Sequence, residues 1–275
     1  AYEIMPSLVG SEMSIRDSEP VILRDADAAF RQRLALHPDI DEIRSRARTH
    51  LHSQIGDPEL RSILTPDYEI GCKRILLSDD FYPTLVRDNV ILEPSALDTV
   101  RESKARAASG RCYDLDLLVM ATGFEAARPP VSTRITGARG ERLDTHWSDG
   151  MTSYASTTVH GFPNMFVLDG PNAALGHNSA IYMIETQLGY VLGALDVLSD
   201  DGIRSLEVTA DAEAAYTAEI DDRASSTVWL TGCNSWYVDP DSGRLTLLWP
   251  GTAVSFRERN GTFDVEPYVV ETREG

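Results

Sequence analysis

The 275-residue sequence predicts a mixed α/β protein, and three observations predict it. Residues 26–64 have the Ala, Arg, Leu and Glu content of helices. Two short apolar runs, in "DLLVMATGF" and "NMFVLDG", each stop at a glycine turn, as buried strands do. Further on, Ile181, Ile184, Leu188, Val191, Leu195 and Leu198 recur at helical spacing.

Taken in order, residues 26–64 predict helices interrupted near Pro38 and Pro58. Residues 89–93, "NVILE", have the β-branched density of a short buried strand. The apolar residues 117–121 predict a strand that ends at Thr122-Gly123, where glycine lets another group approach the backbone. Residues 164–170 repeat that shape and end at Asp169-Gly170. A helix follows from Ser179, capped by Asn178 or Ser179. On it Gly189 and Gly193, about one turn apart, permit close packing on a sheet. Residues 239–243, "DPDSG", predict a hairpin turn. In "VSFRERNGTFDVE", Asn260-Gly261 between strand-like runs predicts a type I′ β-hairpin near the C-terminus.

Composition excludes some partners. Lys and Arg number 25 against 43 Asp and Glu, a net charge of −18, whereas nucleic acid and anionic membrane surfaces demand a basic face. Cys72, Cys112 and Cys233 are an odd count without paired spacing, which suits a reducing compartment better than a disulfide scaffold. No apolar run approaches the roughly 18 residues of a membrane span. The opening "AYEIMPSLVGSEM" lacks the basic flank and apolar core of a signal peptide. The expectation is a soluble cytoplasmic protein. No metal site is expected either. His50 and His52 stand two apart in a helical stretch and point away from each other. "DPDSG" departs from a calcium loop at Arg244 and Pro250. "GHNS" is not a hydrolase nucleophile elbow, and no acid is spaced to complete a pair of His177 and Ser179.

Two stretches remain as candidate sites. In "VLDGPNAALGHNSAIYMIE", Gly170 and Pro171 break the strand, Asn172, His177 and Asn178 lie in the loop, and Ser179 opens the helix. The N–H groups and positive end of that helix favour an electron-rich ligand group. Alone, the pattern equally describes an ordinary capped helix. In "GCKRILLSDDFYPTL", Lys73 and Arg74 precede an apolar triplet and Asp79-Asp80. They read as a solvated pair on a strand edge, or as a functional pair. Lysine is a point charge suited to phosphate, and arginine a planar fork suited to a developing oxyanion.

Five motifs stand in order: "GCKRILLSDDFYPTL", "DLLVMATGF", "GFPNMFVLDGPN", "GHNSAIYMIETQ" and "TVWLTGCNSWYVDPDSGRLTLLWPG". Together, over about residues 45–260, they resemble the C-terminal half of class B flavoprotein monooxygenases of the Baeyer–Villiger family. The resemblance implies a partial flavoprotein fold built on two dinucleotide-binding domains. Residues 1–112 would be a helical segment and the remainder of the NADPH-binding domain. Residues 113–275 would be the C-terminal part of the FAD-binding domain.

The resemblance also implies FAD and NADPH as cofactors, and O2 with a small carbonyl compound as substrates, a ketone becoming an ester or lactone. It assigns Lys73 to NADPH, and Arg74 to the negative charge that develops as oxygen is transferred. Thr122 and Gly123 fall where the chain returns to the FAD domain. Gly170, Pro171, Asn172, His177, Asn178 and Ser179 fall beside the flavin. Within "TGCNSWYVD" (231–239), Trp236 and Tyr237 form either a mobile lid over the cofactor or a cover for a sheet edge.

The departure from the family is large. The chain contains no G-x-G-x-x-G loop for FAD or NADPH and no F-x-G-x-x-x-H-x-x-x-W signature. It reads as a portion of a longer monooxygenase, inactive by itself and completed by a flavin-binding N-terminal portion. The alternatives are a non-catalytic half-protein docking on a separate flavin-binding chain, and an N- or S-oxygenating enzyme.

Overall fold

A computed structural model describes residues 40–73, 78, 80–176, 179–200, 202–231 and 234–273. The chain divides into two compact units. The described part of the first is residues 44–67, 78 and 80–124. That of the second is residues 40–43, 68–73 and the described residues from 125 onward.

The first unit opens with helix α1 (Ile40–Gln54), from Arg44 onward, and helix α2 (Pro58–Leu64). The break between them follows the chemistry expected at Pro58. Asp57, in an extended conformation, accepts the Glu59 N–H, and proline takes the first helical position, where no N–H is needed. Leu51 and Ile55 pack with Tyr82 of the short helix α3 (Phe81–Leu85). Three strands follow as an antiparallel meander: β1 (Leu97–Arg101), β2 (Lys104–Ala107) and β3 (Cys112–Asp114). None of these strands is apolar enough to read from sequence. Conversely, residues 89–93 and 117–121 form no strand. Ile91 is 70% exposed, and Leu117 and Val119 are 77% and 75% exposed. A strand exists by pairing, and among the described residues neither run has a partner.

The second unit carries a 3₁₀ turn (Pro130–Arg134), helix α4 (Leu143–His146), the long helix α5 (Ala180–Leu198) and strand β4 (Ile203–Val208). Helix α6 (Ala210–Ala224), helix α7 (Val228–Thr231), helix α8 (Ala253–Asn260) and strand β5 (Tyr268–Thr272) complete it. Strand β5 pairs antiparallel with β4, Leu206 facing Val270. Helices α6 and α8 start where hydroxyl caps stand: Thr209 accepts from the Ala212 N–H and Thr252 from the Ser255 N–H. The core packs Met183 of α5 with Tyr216 and Ile220 of α6, Trp249, and Phe256 of α8.

Four expectations need correction here. Residues 164–170 are turns and irregular chain, not a strand. Asn260-Gly261 ends helix α8 rather than turning a hairpin, because glycine after asparagine is also a helix-stop signal and Ala253 and Phe256 need a helical face to reach the core. Gly189 and Gly193 do allow close approach, but to the chain at 261–263: a Cβ on Gly193 would stand 2.8 Å from Phe263 Cβ. Finally, Cys72 is disulfide-bonded, a pairing made by the fold that sequence spacing does not reveal, while Cys112 is free and exposed.

Candidate functional site

The loop entering α5 is built from residues that tolerate unusual backbone. Asp169 and Asn172 adopt φ of 52° and 55°, the left-handed region that Asp and Asn enter more readily than most side chains. Gly170 between them is required sterically, since a Cβ there would come within 2.7 Å of Val167 Cγ1. The loop is sewn to residues 245–249. Asn172 donates its backbone N–H to Thr246 O at 2.9 Å, and its side-chain amide to Leu245 O at 2.6 Å and Leu248 O at 3.1 Å. Ala174 donates to Leu247 O, and Trp249 donates back to Ala174 O. The buried Asn172 therefore holds the loop through both its side chain and its backbone, whose carbonyl also accepts from Ser156 Oγ at 3.3 Å.

From the other side the loop is held by α5. Gln187, fully buried, donates through Nε2 to Ser156 O, Thr157 Oγ1 and Val167 O, and its Oε1 accepts the Asp169 N–H. Burial raises the Asp169 carboxyl above its ordinary range. Ser179 stands at the N-cap position of α5 as expected, but its side chain does not cap the helix.

The segment at residues 71–73 joins the same unit. Ser235 Oγ donates to Cys72 O at 3.0 Å, and Cys72 packs with Val228, Trp229, Tyr237, Leu245 and Leu248. Ala174 packs against this cluster, so the loop and the 71–73 segment share one apolar support. Lys73 is exposed, with Nζ 4.3 Å from the centroid of the Tyr68 ring. Trp236 is 54% exposed and lies with its ring 4.3 Å from that of buried Tyr237.

The expected turn at residues 239–243 forms, and it has a partner that sequence did not suggest. Asp239 accepts from Arg128 Nε and Nη2, both at 2.9 Å, and from Ser242 Oγ. Burial alone would raise the Asp239 carboxyl, but these donors outweigh it and hold it below the usual range.

Of the residues singled out in the sequence, the structure brings Lys73, Gly170, Pro171, Asn172, Ser179 and Trp236 into the second unit. Thr122 and Gly123 belong to the first unit, in an exposed irregular stretch where Gly123 has φ of 85°. Arg74, Asp79, His177, Asn178 and Gly232 lie outside the described residues. Gln187 and the Arg128–Asp239 pair were missed. A glutamine inside an apolar helix was the signal for the first; nothing local marks the second.

No protein-family model matches the chain. It is 42% identical over 224 residues to a Baeyer–Villiger monooxygenase of Pseudomonas aeruginosa, covering 81% of this chain and 42% of that protein. It is 40% identical over 242 residues to a Baeyer–Villiger monooxygenase of Streptomyces coelicolor, covering 87% of this chain and 46% of that protein. A solved steroid monooxygenase bound to NADP superposes with a TM-score of 0.73 at 26% identity, covering 98% of this chain and 53% of its own. OTEMO in complex with FAD and NADP superposes at 0.73 and 25% identity, covering 90% and 51%. The chain thus spans about half the length of the proteins it matches.

Proposed function

The chain belongs to the Baeyer–Villiger monooxygenase family, and from that premise we propose that it is the C-terminal portion of an FAD- and NADPH-dependent monooxygenase. The reaction would insert one oxygen atom of O2 into a carbonyl substrate, turning a ketone into an ester or lactone. One observation carries the reading: identity of 40–42% runs through more than four fifths of this chain yet through less than half of each relative. The domain division at residue 112 and the N-terminal, flavin-binding partner portion belong to the same proposal.

The residues present fit one edge of the cofactors. Helix α5 has 19 residues, and the positive end of its dipole would favour an electron-rich ring or carbonyl group of FAD. The backbone of Gly170, Pro171 and Asn172 would border the flavin, with the asparagine amide already committed to the protein. Lys73, exposed on a rigid cluster, would supply a point charge to an NADPH phosphate. Trp236, half exposed beside it, would close over the site and exclude water. Arg74 would hold negative charge as it develops on the transferring oxygen, where a planar fork is the suited donor. FAD, once bound, supplies the electron transfer and oxygen chemistry.

The test is co-expression of this chain with the flavin-binding remainder of the Pseudomonas aeruginosa relative, so that neither portion has to fold alone. The pair should be yellow, consume NADPH faster when cyclohexanone or 2-octanone is added, and yield lactone or ester. Arg74→Ala should lower product formation by about 10²–10³-fold, the usual cost of one preorganised oxyanion donor, and Arg74→Lys should not restore it. A yellow pair that makes only hydrogen peroxide from every ketone overturns the carbonyl reading. Stoichiometric flavin on the chain expressed alone overturns the portion reading.

A further inference from the structure

The turn at residues 239–244 is held by two arginines that reach neighbouring backbone carbonyls. Asp239, its side chain fully buried, takes Arg128 Nε on Oδ1 and Arg128 Nη2 on Oδ2, both at 2.9 Å. The Ser242 hydroxyl and N–H also donate to Oδ2. Arg128 Nη2 reaches on to Ser148 O at 3.2 Å and to Asp241 at 3.1 Å. From within the turn, Arg244 donates to Asp221 of α6 at 3.0 Å and to Asp149 O at 3.3 Å. Gly150 lets this stretch come so near, since a Cβ there would lie 2.8 Å from Ser242 Oγ. Across the turn the Asp239 N–H donates to Arg244 O, and Val238 bridges Leu245. Both arms leave it toward the candidate site. One holds Trp236 and the Ser235 hydroxyl that bonds Cys72 O, just before Lys73. The other holds the carbonyls of Leu245, Thr246 and Leu248 to which Asn172 donates.

We propose that Arg128 and Asp239 are a positioning pair for the monooxygenase site, a deepening that rests on the function proposed above. Neither residue touches cofactor or substrate in this reading. Together they set the register of the two arms, and through the arms the placement of Trp236, Lys73 and the 170–174 loop. Stability alone does not account for the pair. Burying two charges gains little over an apolar contact of equal volume, because desolvation of both ions offsets their attraction. What the guanidinium adds is direction. Two parallel N–H bonds to one carboxylate hold Asp239 in a single orientation, which a rotating ammonium group cannot do. Such precision matters where atoms are transferred, since misplacement by about 1 Å can cost about 10²-fold in rate.

The experiment uses the full chain, labelled with 5-fluorotryptophan and co-expressed with the flavin-binding remainder of the Pseudomonas aeruginosa relative. Wild type is compared with Arg128→Lys, which keeps the charge and loses the fork, and with Arg128→Met, which keeps only the apolar stem. The fluorine resonance of Trp236 is identified by its loss in Trp236→Phe, and all readings are made well below the melting transition. In wild type that resonance reports a ring 4.3 Å from the ring of Tyr237. In both Arg128 variants it should shift or broaden, and kcat/KM for cyclohexanone should fall at least about tenfold, with no rescue by lysine. If Arg128→Met does not fold, Arg128→Lys decides. A wild-type Trp236 resonance in Arg128→Lys overturns the proposal, even where the melting temperature falls, because the pair then only stabilises. So does a displaced resonance with unchanged kcat/KM in an active complex. A complex that converts no ketone overturns the proposed function instead, and the Trp236 resonance then decides the positioning by itself.

Discussion

The Oε1 of Gln187 accepts the backbone N–H of Asp169 at 2.9 Å, across 18 residues of sequence. The bond holds Asp169 in a left-handed conformation that carries the chain into Gly170-Pro171. The same amide reaches Ser156 O and Val167 O through its nitrogen. One buried side chain therefore fixes the geometry of the loop that enters α5, and does so from a helix face that reads as apolar.

Gln187→Leu keeps the volume of the side chain and removes all of those bonds. Each buried donor or acceptor left unsatisfied costs about 1–3 kcal/mol. The expected outcome is a lower urea midpoint at unchanged slope, with Gln187→Glu also destabilised because a carboxylate cannot donate to the two carbonyls. A loss below about 0.5 kcal/mol for Gln187→Leu, the size of an ordinary surface change, would show that the loop holds its shape without the clamp.

Much of this was legible in the sequence, for identifiable reasons. The start and length of α5 follow from apolar spacing, and the break before α2 follows from Asp57-Pro58. Which side of α5 is covered was not legible. Periodicity shows that an apolar stripe exists, not that a neighbour in this chain covers it, and Ile181, Leu188 and Leu195 turn out to face solvent. Residues 117–121 and 164–168 have strand composition, yet strand structure depends on a partner strand. Asn260-Gly261 was ambiguous because the same dipeptide closes hairpins and ends helices. Gln187, Asp239 and the disulfide at Cys72 depend on partners distant in sequence, which no local pattern encodes.

Gly193→Ala tests the approach of α5 to the chain after α8. The new methyl group would stand 2.8 Å from Phe263 Cβ, closer than carbon atoms pack, so one segment must move. Overpacking of this kind costs about 1–3 kcal/mol, offset in part by alanine's better helix propensity, worth about 1 kcal/mol. A net fall in melting temperature is expected. A rise would mean that the 261–263 chain yields easily.

Trp236→Ala separates lid from scaffold. Trp236 is 54% exposed, so its removal should shift the melting temperature little. In the co-expressed pair, a lid role predicts more hydrogen peroxide released per NADPH, because an open site admits water. Unchanged coupling together with a large fall in melting temperature would make Trp236 a structural cover.

The last prediction concerns pH and the pair of His146 with Glu213. His146 Nε2 lies 2.8 Å from Glu213 Oε1, and Glu213 also accepts from Thr152 Oγ1 and the His160 N–H. These bonds tie α4 and the 152–160 segment to the first turn of α6. Other ionisable groups lie close: Glu141 is 3.8 Å from His146 Nδ1, and Glu207 and Arg139 flank His160. The bond from Glu213, with Glu141 adding charge, raises His146 above its ordinary 6.5 despite its burial. Burial alone would raise Glu213, but its donors hold it below its ordinary 4.5. A raised histidine stabilises most below its unfolded pKa and loses that stabilisation as pH rises through the folded value. A lowered carboxyl stabilises above its unfolded pKa and loses it as pH falls through the folded value. Both contributions are complete only between about pH 4.5 and 6.5. His146→Gln, which keeps an N–H for Glu213 but cannot charge, should therefore lower the melting temperature more at pH 5.5 than at pH 8.5. A deficit that is equal at the two pH values would mean that His146 acts through its neutral hydrogen bond alone.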